Sequence, residues 1–101
     1  MNNPERGEST IVIEHKAYTL RPTFTALVAA EEELGPLFAL VERAGEGKLR
    51  LQEVAMLFWH CLQDKEGVTR EQVGEAVIAT GLSGSARPLR SLLFQVLQGR
   101  M

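Results

Sequence analysis

The chain begins with a polar stretch, continues in short strand-like runs and turns to a helical period from Thr23 onward. Residues 1–8 are polar and contain Pro4 and Gly7, which predicts a flexible leader. Ser9-Thr10-Ile11-Val12-Ile13-Glu14 and Ala17-Tyr18-Thr19-Leu20-Arg21 are short, β-rich runs on either side of His15-Lys16, the pattern of a β-hairpin. Alternation places Ile11 and Ile13 on one face of the first strand, and Tyr18 and Leu20 on one face of the second. An isolated hairpin is marginal, so that face needs helices to pack on. Pro22 ends the strand, Thr23 is placed to cap a helix, and Phe24, Leu27, Val28 and Leu34 fall on its apolar stripe. Gly35 supplies the C-terminal stop and Pro36 fits the first turn of the next helix, with Leu37, Leu40 and Val41 inward and Gly45 or Gly47 closing it.

The most apolar segment is Leu51–Gln63. Leu51, Val54, Ala55, Phe58 and Leu62 form one stripe, and Met56, Leu57, Trp59 and Cys61 spread around the rest. A helix apolar nearly all round is either central and buried or keeps a face for a partner. Thr69 with Gln72 is a capping box. The helix it starts turns Val73, Ala76 and Val77 inward and stops at Gly81. Ser83-Gly84-Ser85 reads as a loop whose last serine caps a final helix carrying Leu89, Leu92, Leu93, Val96 and Leu97, with Pro88 in its first turn. The expected fold is mainly α: a short N-terminal β-hairpin packed on a bundle of about five helices, with residues 9–101 as a single helical domain.

Composition narrows the function classes without choosing one. The chain has 101 residues, 45% hydrophobic and 24% charged, with a formal net charge of −2. A basic patch for nucleic acid is missing from that balance, and no apolar run approaches the roughly 18 residues a membrane helix needs. Cys61 is the only cysteine, which excludes an internal disulfide and suits a reducing cytoplasm. The expectation is a cytoplasmic protein with no nucleic-acid or membrane partner and no cofactor.

No constellation points to catalysis. His60 and Cys61 are helix neighbours whose side chains diverge by about 100°, so they do not form a nucleophile–base pair; a packed thiol and a helix-edge imidazole fit better. Glu31-Glu32-Glu33 points three ways and reads as a solvated face. Glu31 alone lies on the apolar stripe, which suggests an internal salt bridge to Arg21 or Arg87, or recognition of a partner. Gly47, Leu49 and Glu53 imitate half a calcium loop, but Ala44 and Arg50 stand where oxygen ligands belong, leaving a helix–loop–helix corner. Arg87, Arg90 and Arg100 form a basic strip without aromatic interleaving, a solvated face.

One ordered pattern is more specific. Gly7-Glu8 precedes the hairpin, Tyr18-x-Leu20-Arg21-x-Thr23-Phe24-x-Ala26-Leu27 links strand to helix, and Glu31 falls four residues before Gly35. The apolar central helix, the Val68-Thr69 helix start and a leucine-rich last helix follow. In this the chain resembles the small tail-module proteins of gene transfer agents, which are similar to phage tail assembly chaperones. The matching positions are Tyr18, Leu20, Arg21, Thr23, Phe24, Leu27, Glu31 and Gly35. Arg50 departs from the pattern where a capping Ser or Thr is usual, which predicts a weak start to the central helix.

The resemblance implies a helical non-enzyme that assists tail assembly by holding a tape-measure or tail-tube protein. A helix-in-groove partner needs an apolar surface with a polar rim, and Met56, Trp59 and Phe94 are apolar residues off the main stripes. With Glu31 they are the candidate partner-binding residues; closing the core of a small bundle is the competing role. The alternative function is a structural tail-tube or connector subunit incorporated into the particle, a homo-oligomer using the hairpin edge for strand addition.

Overall fold

The computed structural model describes residues 9–98, except for the side chains of Leu82, Ser83 and residues 94–98. The expected leader, the Gly7-Glu8 pair and Arg100 lie outside the described residues, as do the side chains of Phe94, Val96 and Leu97. Two strands, β1 (Ser9–Ile13) and β2 (Lys16–Leu20), precede helices α1 (Phe24–Leu34), α2 (Leu37–Gly45), α3 (Leu51–Cys61) and α4 (Arg70–Gln98). α4 breaks at Gly81, whose backbone (φ 87°, ψ 157°) is non-helical, so five helical segments follow the hairpin. The protein is mainly α.

The strands pair antiparallel with Ile11 opposite Tyr18 and Ser9 opposite Leu20. Opposed residues share a face, and Ile11, Ile13 and Leu20 are buried there, with Tyr18 packed against them, as alternation predicts. The turn lies one residue earlier than the sequence suggests. Lys16 pairs with Ile13, leaving Glu14 (φ 50°) and His15 (φ 70°) as the two corner residues. Positive φ at both is the type I′ pattern, which matches strand twist but favours Asn and Gly. The Glu14 carboxylate accepts a hydrogen bond from Gln72 Nε2 (3.1 Å), anchoring the corner to α4. At the other end, the Arg21 N–H donates to the Cys61 carbonyl (2.6 Å) and the Gln63 N–H to the Thr19 carbonyl (2.9 Å). These bonds bridge Leu20 to Leu62 and tie the hairpin to the end of α3.

α3 is the centre. Val54 through Phe58 are buried without interruption, followed by His60 and Cys61. α1 and α4 pack on it, β1 packs on α4, and α2 lies at the periphery against α1 and α4. Leu51, the first residue of α3, departs from its expected inward place at 44% exposed. Arg50 has no acceptor to cap α3, yet the start is not weak. Glu53 Oε1 accepts the Arg50 N–H (2.9 Å), and the same carboxylate holds Arg43 in a fork at 2.7 and 2.8 Å. The α2–α3 corner is therefore closed by a glutamate–arginine pair.

Thr23 caps α1 through the Ala26 N–H (3.1 Å), and Gly35 (φ 93°) ends it by donating to the Glu31 carbonyl. Thr69 and Gln72 form the expected reciprocal capping box. Two predicted features differ. Phe24 and Val28 are not core: they are 83% and 37% exposed. The inward stripe of α1 is instead Ala26, Leu27, Ala30 and Leu34, with Ala30 fully buried, so its small side chain lets α1 lie close. Ser83-Gly84-Ser85 is helical, not a loop, and Ser85 is buried with its hydroxyl unpartnered among the described residues. The chain turns entirely at Gly81, which leaves no helix start for Ser85 to cap.

His15 adopts a left-handed conformation that costs an L-residue energy that glycine avoids. His15→Gly should stabilise the fold by up to about 1 kcal/mol after the larger unfolded-state entropy of glycine is subtracted. Thermal melting checks this; a lower Tm would mean that the side chain contributes more than its backbone costs.

Candidate functional site

His60 is the polar exception in an apolar helix and is 8% exposed. A buried polar ring needs a partner, and α1 supplies one. Glu33 Oε1 lies 2.7 Å from His60 Nε2. The same carboxylate accepts from the Arg70 guanidinium, at 2.6 Å from its other oxygen. One carboxylate on α1 thus joins the end of α3 to the start of α4. His60 foremost, and then Arg70, hold the Glu33 carboxyl below its ordinary range, against an opposing desolvation. Glu33 is therefore not part of a purely solvated face, and His60 is not an edge residue.

Trp59 stands beside this triangle. Its ring meets the His60 ring edge-on at 5.2 Å and 82°. The Arg70 guanidinium lies 4.4 Å from the indole centroid and the Lys65 ammonium 5.3 Å, both within cation–π range. Lys65 Nζ also donates to the carbonyls of His60 (3.2 Å) and Leu62 (3.3 Å), satisfying the open end of α3 and suiting its negative dipole. Trp59 is half-buried, and Met56 is in the core with its sulfur 3.4 Å from Arg70.

Between the start of α1 and the end of α3 lies an open groove of about 540 Å³. Trp59, Ala26, Ala29 and Leu62 give it apolar walls, with Thr25, His60 and Lys65 among its polar ones; no carboxylate is among its lining residues. The remaining large exposed apolar side chains include Phe24, Phe38 (73%) and Ile78 (65%). Among the sequence candidates, the structure brings Met56 and Trp59 together on α3. It puts Glu31 elsewhere: its carboxylate accepts the Leu37 N–H (3.1 Å) and so caps α2 from a distance. Phe94 lies on α4, its side chain outside the described residues. Sequence reasoning missed Glu33, Lys65, Arg70 and Phe38. The signal for the first was available: a histidine inside an apolar helix calls for a carboxylate elsewhere.

Burial pushes the Cys61 thiol up to about 12, so it is protonated at neutral pH and a poor nucleophile. Among the described residues no cluster of three or more His, Cys, Asp or Glu could hold a metal, and no helix is long and apolar enough to cross a membrane. Comparison with known families then decides the class: the model described as "Phage tail tube protein, GTA-gp10" matches residues 6–99. The chain belongs to this family. It is a tail-module protein of the phage and gene-transfer-agent type, as its sequence motif implies. No match was found among curated proteins or solved structures.

Within this tail protein the motif residues do structural work. Leu20 is fully buried, Tyr18 and Leu27 pack against the core, Arg21 bonds the end of α3 through its backbone, and Thr23 and Gly35 cap the ends of α1. Phe24 is the aromatic member that projects outward.

Two predictions follow from these shifts. The folded Glu33 carboxyl titrates lower than it does unfolded. Its stabilisation is therefore complete above the ordinary carboxylate range and is lost as pH falls through and below that range. Glu33→Gln should lower Tm at neutral pH and flatten the acid limb of a Tm-against-pH series; an unchanged limb would show that the triangle is not coupled to folding. Cys61 should resist alkylation in the native protein at neutral pH and react after denaturation, as measured by mass; rapid native labelling would contradict its burial.

Proposed function

We propose that the protein is a structural component of the tail, built into the tube or its connector by protein–protein contacts and performing no covalent chemistry. The family match over residues 6–99 carries this reading. Phe24 and Phe38, 83% and 73% exposed in the isolated chain, are the aromatic side chains that such contacts would use. Protein partners within the tail assembly follow from the same membership.

A second reading has a specific observation in its favour. The β-structure among the described residues is one hairpin of five-residue strands, and the outer edge of β2 is closed at one end by Leu62. That leaves limited edge for strand addition, while the α1–α3 groove suits a helical segment. On this reading the protein is an assembly chaperone or adaptor that holds a tape-measure or tail-tube protein and then leaves. Quantitative mass spectrometry of purified particles separates the two. The structural reading expects the chain at a fixed ratio to other tail proteins. Its absence from particles, together with recovery on a tape-measure protein from producing cells, would establish the second.

A further inference from the structure

The α1–α3 groove is distinguished by its shape and by its charge. Its α1 wall is built from Thr25, Ala26 and Ala29 and its α3 wall from Trp59. Ala26 and Ala29 are three residues apart and share one helix face, so no α1 side chain larger than threonine fills the space before the indole. The open trough that results, of about 540 Å³, has room for several side chains from one face of a helix. The whole chain carries 13 acidic residues and 11 lysines and arginines, yet Arg21 and Lys65 line this trough and no carboxylate does. Carboxylates on neighbouring turns are engaged elsewhere: Glu33 with His60 and Arg70, and Asp64 with the Glu66 N–H (3.0 Å).

Lys65 carries the charge argument. The carbonyls of His60 and Leu62 accept from its ammonium, and the Trp59 ring lies 5.3 Å away. These are neutral partners, so they fix the ammonium at the rim without cancelling its charge, and among the described residues no carboxylate pairs with it. Two of its three N–H donors are used; the third is available to an acceptor that a partner brings. A ligand that fits this surface is apolar where it meets the trough and anionic where it meets the rim. We propose that the groove seats an acidic amphipathic helix of another tail protein, its apolar side chains against Trp59, Ala26 and Ala29 and a carboxylate one turn along on Lys65. This rests on the protein–protein role common to both readings above and names the chemistry of the partner.

The probe is an array of overlapping peptides of about 15 residues, long enough to form a helix on binding, that tile every protein of the tail module, this chain included. The labelled full chain is applied to it. Tryptophan-free peptides that bind are then titrated in solution against the fluorescence of Trp59, the only tryptophan of the chain. Peptides from another tail protein, net acidic and apolar on one helical face, should bind best and shift the Trp59 emission to the blue. High salt should weaken them, and Lys65→Met should cost about tenfold in affinity or more. Thr25→Glu puts a carboxylate on the groove wall at an exposed position in the first turn of α1, where a negative charge suits the helix. It should melt no lower than wild type and lose the acidic peptides, and it carries the test alone if Lys65→Met does not fold. A bound set with no acidic bias, unchanged affinity in Thr25→Glu, best binding by peptides of this chain itself, or no binding at all would each overturn the proposal. A chain present in particles at a fixed ratio whose groove takes no acidic peptide would sink this inference alone. Acidic peptides bound by a chain absent from particles would sink the structural reading alone.

Discussion

The architecture depends on α3 having no solvent face along most of its length. Val54 to Phe58 are all buried, and five consecutive helical residues point in every direction around the axis. A helix of that kind cannot rest on a surface; something must cover each side. α1 and α4 do so, and Leu62, just beyond its C-terminal end, is bonded alongside β2. α2 is left at the edge with a single buried residue, Leu40. Phe38 is exposed for that reason: the element carrying it has only one side to bury.

Placing His60 in this central helix sets a second constraint. Apolar packing alone permits small rotations of one helix on another, because dispersion contacts have little direction. A hydrogen bond from a buried imidazole does not. Glu33 must come from α1 at a fixed height, and its remaining oxygen then selects Arg70 at the start of α4. Arg70 in turn lies over Trp59. The face beside the groove thus has its aromatic surface already occupied on part of its area by cations. Met56 is buried beneath it, its sulfur against Arg70.

What was legible in the sequence follows from the range of the interaction involved. Thr23, Gly35 and the Thr69–Gln72 box were readable because a cap is satisfied within three or four residues. The hairpin faces were readable because period two needs no knowledge of the partner. The failures have a common cause. Phe24 and Val28 have helical spacing with Leu27, but the buried side of α1 centres on Ala30, and 100° per residue turns both of them away from it. Ser83-Gly84-Ser85 has loop composition, yet small residues also suit a helix start packed tightly after a glycine corner, and Ser85 is buried there. The Glu14-His15 corner uses residues that disfavour positive φ, so turn chemistry pointed one place along. Glu33–Arg70 spans 37 positions, and no local pattern reports such a pair. The groove likewise exists only once α1 lies on α3.

The same distinction governs how far family membership reaches. The residues that carry the resemblance, Tyr18 through Gly35, are mostly strand ends, caps and packing positions, so they bear on the fold with little reference to what it touches. Phe38, Trp59 and Lys65 stand outside that motif; Phe38 is exposed, and Trp59 and Lys65 line the groove. Membership therefore transfers the architecture directly, while the contacts have to be argued from exposed rings, fixed charges and the groove between them.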